Sequence, residues 1–297
     1  MSAPDLAALR QAGRVASVAR GLGVAQIDTG RRVAGVRSAV EAEIARLGAG
    51  LAFPVQVAIN EIAAHFCPAE SDATLFREGD LAKLDIGVHV DGWVVDTAVT
   101  VNVGGRAERQ RLVDAAEAAL HSALAVAGPG VRIYDVSMAI ETTLLSRGLR
   151  PVEGLCGHGV GRWTVHCPPA VPNYPEGDPR TRLEPGTVVA IEVFATDGAG
   201  RVEERGVASI HRLDPLAPVE LDDPELIEAL RAFRGLPFAA HQLSAFSPER
   251  VAAAVASLAT SGRLRSYRPL VDTGAAPIAQ AEHTLYVHED RVEVVTL

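Results

Sequence analysis

The sequence predicts an α+β fold built from two similar halves, and three observations support it. Helical periodicity opens the chain twice, at Leu6, Leu9, Ala12, Ala16 and Ala19, and again at Val33, Val36, Val40, Ile44 and Leu47 after the break Asp28-Thr29-Gly30. β-rich sequence follows from Leu81 to Val101 around Asp91-Gly92, a dipeptide suited to the type I′ turn of a tight hairpin. The order then repeats: helices are expected from about Glu108 to Val126 and from about Asp135 to Arg147, with the turn Gly128-Pro129-Gly130 between them and strands through Val188 to Phe194.

A third stretch interrupts this order. Helical sequence over 222–265 uses Ser247-Pro248-Glu249 as N-cap, first helical position and first turn, and Gly262 as a stop signal, so an inserted helical subdomain is expected there. The segment from Ala279 to Leu297 returns to strand character around Glu282 and Val287, which assigns the last strands to the earlier sheet and makes 1–297 one domain with an insertion.

Composition narrows the function classes. With 48% hydrophobic and 22% charged residues in 297, disorder and a disulfide scaffold are excluded as overall descriptions. A formal net charge of -9 with no Lys/Arg block argues against nucleic acid as the main partner. Three cysteines behind no signal peptide point to a reducing compartment, and the cytoplasm is expected. Asp5, Arg10, Arg14 and Arg20 break the first 25 residues into an amphipathic helix, and no run approaches the roughly 20 apolar residues that span a bilayer. Neither export nor membrane insertion is expected.

The hairpin carries the first chemical signal. If Asp91-Gly92 is a two-residue turn, Val90 faces Trp93, Asp85 faces Ala98 and Asp96 faces Gly87. Side chains alternate along a strand, so Asp85 and Asp96 share one face as diagonal neighbours within about 7–8 Å. Leu84, Ile86 and Val95 around them are apolar, and two like charges in such surroundings are unfavourable unless a cation compensates them. The competing reading is a wet hairpin face with solvated aspartates.

Further candidates interrupt other apolar runs: His158 in Gly157-His158-Gly159-Val160-Gly161, Glu192 in Val188-Val189-Ala190-Ile191-Glu192-Val193-Phe194, and Glu282 in Gln280-Ala281-Glu282-His283-Thr284. The flanking glycines would let the backbone come close to whatever the imidazole binds. A lone carboxylate in a strand sometimes serves only to deter edge pairing, but anomalies in several separate strands are harder to read that way. Two Asp, two Glu and one His form an oxygen-rich set suited to a pair of divalent first-row ions, Mn, Fe, Co or Zn. A structural zinc site from Cys67, Cys156 and Cys167 with His65, His158 and His166 is the competing metal reading, although no Cys-x-x-Cys pair is present.

Together with Asn60-Glu61-Ile62-Ala63-Ala64-His65, Lys83-Leu84-Asp85-Ile86-Gly87 and Ala190-Ile191-Glu192, these motifs resemble, in order and spacing, the methionine aminopeptidases of the creatinase-like, "pita-bread" superfamily. The insertion and the run 158–174, with His166-Cys167-Pro168-Pro169, resemble the type 2 branch, especially its archaeal form. The resemblance implies a single catalytic pita-bread domain with a curved antiparallel sheet flanked by helices. It implies two metal ions, with Asp85 chelating one, Asp96 and Glu282 bridging both, and His158 and Glu192 completing the other site. His65 and His166 would stand beside the metals and bind the scissile amide or the tetrahedral oxyanion. Glu192 would shuttle a proton from the metal-activated water to the leaving amine.

The implied substrate is a peptide or nascent-protein N-terminus with methionine first and a small residue second, which places the ribosome nearby; a monomer is expected. Phe66-Cys67-Pro68 departs from the Tyr-Thr-Pro usual in the family, and the neighbourhoods of His241 and Tyr267 are also altered, which puts pocket details in question while sparing the metal set. A proline-directed peptidase such as prolidase is the nearest rival, but those enzymes carry a substantial extra N-terminal domain and only about 80 residues precede Asp85 here. A non-catalytic binding relative is the other, and it would be expected to lose ligands.

Overall fold

The computed structural model describes residues 1–214 and 223–297. The start of the predicted insertion, Asp222, lies outside the described residues.

Each half opens with a helix pair. Ser2 caps α1 (Ala3–Gln26) by accepting the Asp5 N–H at 3.3 Å, and Leu9, Ala12, Ala16 and Ala19 are buried along one side of it. After the Asp28-Thr29-Gly30 break comes α2 (Val33–Arg46), with Val33, Val36, Val40 and Ile44 buried. The short strands β1 (Gly50–Leu51), β2 (Gln56–Ile59) and β3 (Ile62–Ala64) lead into the hairpin β4 (Leu81–Val90) and β5 (Trp93–Asn102). Its register is the one the turn requires: Val90 pairs with Trp93, Asp85 with Ala98 and Gly87 with Asp96. Asp91 and Gly92 have φ of 51° and 86°, the two positive values of a type I′ turn.

The second half repeats the plan with α3 (Ala107–Val126) and α4 (Ile133–Ser146), followed by β6 (Arg150–Pro151), β7 (Cys156–Gly161), β8 (Thr164–Pro172) and β9 (Val188–Thr196). Arg32 and Arg132 occupy equivalent places, each the residue before the second helix of its half and each in an isolated bridge. Beyond β10 (Val202–Glu204) and β11 (Ile210–Leu213) lie α5 (Pro224–Ala232), a 3₁₀ turn (Ala240–Leu243) and α6 (Pro248–Thr260). Ser247 caps α6 through the Arg250 N–H, and Gly262 follows at φ 68°. Leu264 and Arg265 already belong to β12 (Leu264–Tyr267), which pairs with β11. The chain closes with β13 (Leu270–Asp272), β14 (Ile278–Val287) and β15 (Val292–Val294).

Sheet order explains how the halves share a centre. The main antiparallel sheet runs β1-β4-β5-β14-β9-β7-β8, so the late strand β14 inserts between the hairpin of the first half and β9 of the second. One face is sealed by the helices: Leu84 and Ile86 pack with α1 and α2, and Ile191, Val193 and Ala281 with α3 and α4. Leu84, Ile86, Ile191 and Val193, fully buried, each contribute on the order of 1.5–3 kcal/mol. By the alternation of side chains, Asp85, Glu192 and Glu282 point the other way. α5, α6 and the 3₁₀ turn gather a separate apolar cluster around Leu226, Leu230, Phe238 and Leu258. The Glu41 carboxylate fastens this cluster to α2, accepting from Arg37 at 2.9 Å, His241 Nε2 at 2.9 Å and the Val55 N–H at 3.2 Å.

Gly13 sits mid-helix in α1, where alanine would ordinarily stabilise by about 1 kcal/mol. A Cβ there would lie 1.8 Å from the Val295 carbonyl oxygen, a backbone atom just after β15. Gly13→Ala is therefore expected to lower stability in urea unfolding by about 1–3 kcal/mol, the usual cost of overpacking. An unchanged midpoint would mean that α1 moves freely against the C-terminal strand.

Candidate metal centre

Five adjacent strands each place one candidate ligand on the face away from the helices. Asp85 lies on β4, Asp96 on β5, Glu282 on β14, Glu192 on β9 and His158 on β7. Glu282 is the register partner of both Ala98 and Glu192, and His158 that of Ala190, two residues from Glu192. The predicted set is thus brought together, and Asp96, His158 and Glu282 offer ligand atoms within 4.8 Å of one another. His158 Nε2 is 3.8 Å from an oxygen of Asp96 and 3.8 Å from one of Glu192.

The glycines around His158 act differently from the sequence expectation. A Cβ on Gly157 would meet the Ala190 carbonyl oxygen at 2.4 Å, and one on Gly159 the Pro168 carbonyl oxygen at 2.3 Å. They make room for β9 and β8 beside β7, and His158 Nδ1 lies 3.3 Å from the Gly159 carbonyl.

The donor set fits divalent cations. Asp85 Oδ1, Asp96 Oδ1 and Glu282 Oε1 are buried without a hydrogen-bond partner, an arrangement that is costly for carboxylates unless a positive charge meets them. In the protein alone, burial first of all raises the pKa of Asp85, to about 7, and those of Asp96, Glu192 and Glu282. Mutual repulsion adds to the rise for Asp96, Glu192 and Glu282. Burial pushes His158 down to about 4, which favours the neutral imidazole a metal requires. The group of Asp96, His158 and Glu282 contains no cysteine, and Cys67 is buried beside Ile210 and Ala239, so the geometry gives the zinc reading no support.

Two amides that the sequence reading did not single out complete the surroundings. Gln56 Nε2 donates to Asp85 Oδ2 at 3.1 Å while its Oε1 accepts the His65 N–H at 2.6 Å, so one side chain links a ligand to a cavity histidine. Gln280 Nε2 reaches Glu192 Oε2 at 3.5 Å. A polar residue between Val55 and Val57, interrupting an apolar run as Glu192 does, is the signal the sequence offers for Gln56. Lys83, fully buried, donates to the carbonyls of Asn60 at 2.9 Å and Ile278 at 3.0 Å, tying the β2–β3 turn to the start of β14.

A cavity of about 350 Å³ opens over the cluster, walled by Phe53, Leu155, Val165, Ile210, Tyr267 and Leu270. His65 and His166 both line it. His65, in the left-handed region at φ 62°, packs edge-on against Tyr267 with ring centroids 5.3 Å apart, and burial lowers its pKa. The His166 ring lies 4.2 Å from that of His158, and its pKa falls to about 3, through burial first and then the fields of His158, His65, Arg212 and Arg265. Both rings are therefore neutral near pH 7.

The family model for metallopeptidase family M24 matches residues 7–213. A methionine aminopeptidase of Pyrococcus abyssi is 39% identical over 98% of this chain and 99% of its own. The chain belongs to metallopeptidase family M24 and, within it, to the methionine aminopeptidases. Its pita-bread fold is also that of the methionine aminopeptidase of Thermotoga maritima, at 25% identity and TM-score 0.73 over 100% of this chain and 98% of that one. A prolidase from Pyrococcus furiosus shares the fold at TM-score 0.65 and 17% identity, but this chain covers only 64% of it. An M24 member with this buried acidic cluster is a divalent-metal protein. Among the described residues no helix is long and apolar enough to cross a membrane.

Two outcomes follow for the centre. Glu282→Ala is expected to abolish tight divalent-metal binding by isothermal titration calorimetry; retention of parental affinity would remove Glu282 from the ligand set. In metal-stripped protein the folded carboxyls titrate higher than the values near 4 of the unfolded chain. The folded state then holds the extra protons, so the contribution of these carboxyls to stability is full below about pH 4 and falls as the pH rises, for Asp85 through about 7. Thermal melts should show the gain on adding Mn²⁺ to be larger at pH 8 than at pH 5, and a pH-independent gain would contradict this.

Proposed function

We propose that the chain removes N-terminal methionine from peptides and nascent proteins whose second residue is small, using two divalent ions held by Asp85, Asp96, His158, Glu192 and Glu282. Charge carries the choice of two. Four carboxylates and a neutral imidazole bring four negative charges into a cavity wall, which two divalent ions balance and one does not. Mn, Fe, Co and Zn all suit this donor set.

When bound, the ions polarise the scissile carbonyl and lower the pKa of the attacking water. The protein's own part is binding and proton transfer. Glu192 is the least buried of the four carboxylates, with 13% of its side chain exposed, and it lines the cavity, which supports it as the group that takes a proton from the water and returns it to the leaving amine. His65 and His166, neutral through burial, each offer one ring N–H to the scissile amide or to the oxyanion as it forms. The apolar wall of Phe53, Val165, Ile210 and Tyr267 suits a flexible thioether side chain.

Metal-stripped protein should release free methionine from Met-Ala-Ser and Met-Pro peptides only after Mn, Co, Fe or Zn is restored, and should leave an Xaa-Pro dipeptide intact. Cleavage of the Xaa-Pro dipeptide alone would move the assignment to prolidase. His65→Ala should lower turnover by about 10²- to 10⁴-fold while keeping the metal content of the parent, and loss of metal in that variant would overturn the role given to His65.

A further inference from the structure

The ribbon of β11 and β12 continues the cavity wall outward. Its register pairs Ile210 with Tyr267 and Arg212 with Arg265. Because side chains alternate, these four residues share one face, while His211, Leu213, Leu264 and Ser266 take the other. Ile210 and Tyr267 line the catalytic cavity, so the two arginines stand next along the same surface, and His166 and Pro237 of the cavity wall also line a small adjoining pocket with Arg212. Like charges directly opposite on paired strands are destabilising. Among the described residues neither guanidinium has a carboxylate partner; the pair is exposed and its charge is left for something else.

Both side chains are nevertheless held in place. Arg212 Nε donates to the Gly235 carbonyl at 2.9 Å, which leaves its terminal nitrogens free. The Arg265 guanidinium lies 5.0 Å over the Tyr267 ring, which in turn packs against the His65 ring. Two positioned forks with free donors suit a carboxylate, which guanidinium groups bind in a bidentate manner.

We propose that Arg212 and Arg265 form a carboxylate-binding subsite at the mouth of the catalytic cavity, selecting substrates with an acidic residue downstream of the cleaved bond. The inference rests on the peptidase reading above, and it adds a preference that the metal centre alone does not create. The exposed setting makes the effect moderate and sensitive to salt.

The test compares kcat/KM for Met-Ala-Ser-Glu-Ser, Met-Ala-Ser-Gln-Ser and Met-Ala-Ser-Lys-Ser, all amidated, with the metal-loaded full chain. The Glu peptide should exceed the Lys peptide by roughly three- to tenfold at low salt, and the ratio should shrink as salt is added. In Arg212→Gln/Arg265→Gln the ratio should approach one, and in Arg212→Glu/Arg265→Glu it should invert, whereas Arg46→Gln, the loss of a distant surface charge, should keep it. Comparing Met-Ala-Ser as free acid and as amide distinguishes the second carboxylate source, the chain terminus of a short peptide. Methionine release with no charge preference in the parent, or a preference that survives both double variants, would overturn the subsite. Release from none of the peptides would overturn the peptidase reading and the subsite with it.

Discussion

Four carboxyl groups are forced together on one face of one sheet, and most of the architecture serves to make that arrangement tolerable. The opposite face is closed by four helices, so the strands cannot turn their acidic side chains away without burying them in Leu84, Ile86, Ile191 and Val193. A single slip in register would move an entire strand's acidic and apolar sets to the wrong sides. One buried oxygen each on Asp85, Asp96 and Glu282 then has no protein donor, and cations are the compensation that the donor chemistry accepts. The sheet order gives the centre its shape: inserting β14 between β5 and β9 lets the two halves contribute ligands to one site, which neither half holds alone.

Around the ligands, polar side chains fix geometry without adding negative charge. Gln56 couples Asp85 to the backbone of His65, and Asn173 accepts the Phe194 N–H at 2.7 Å while donating to the Glu192 carbonyl at 2.7 Å, so it grips β9 on both sides of the ligand's peptide units. Lys83 holds the β2–β3 turn against β14 through carbonyls alone. Neutral amides, Gln56 at Asp85 and Gln280 at Glu192, can orient carboxylates that a further acid would only repel. The neutral histidines extend the same economy of charge to the substrate side, since a ring that carries no proton-borne charge does not compete with the ions for the carboxylates.

What the sequence made legible follows the range of the interactions involved. The hairpin could be read to the residue because a two-residue turn fixes register and strand alternation does the rest, which put Asp85 and Asp96 on one face. His158, Glu192 and Glu282 were visible as polar interruptions of apolar runs, but their meeting depends on pairing Glu192 with Glu282 across ninety positions of sequence, and no local rule states it. The family resemblance supplied that step. Gln56 lies in a strand of four residues, too short for alternation to mark its face. The glycines beside His158 suggest close approach to a bound group, whereas the backbone they approach is that of β8 and β9, a contact set by tertiary pairing. The helical stretch from Pro224 to Thr260 was legible as helix from its caps, whereas its attachment through Glu41 and His241 joins positions 200 residues apart.

The most direct test is crystallographic. Crystals of the Mn²⁺-loaded protein, measured on the two sides of the manganese absorption edge, should give two anomalous peaks per chain, both enclosed by Asp85, Asp96, His158, Glu192 and Glu282. One peak, or peaks bound away from these five side chains, would contradict the account of a shared two-ion centre.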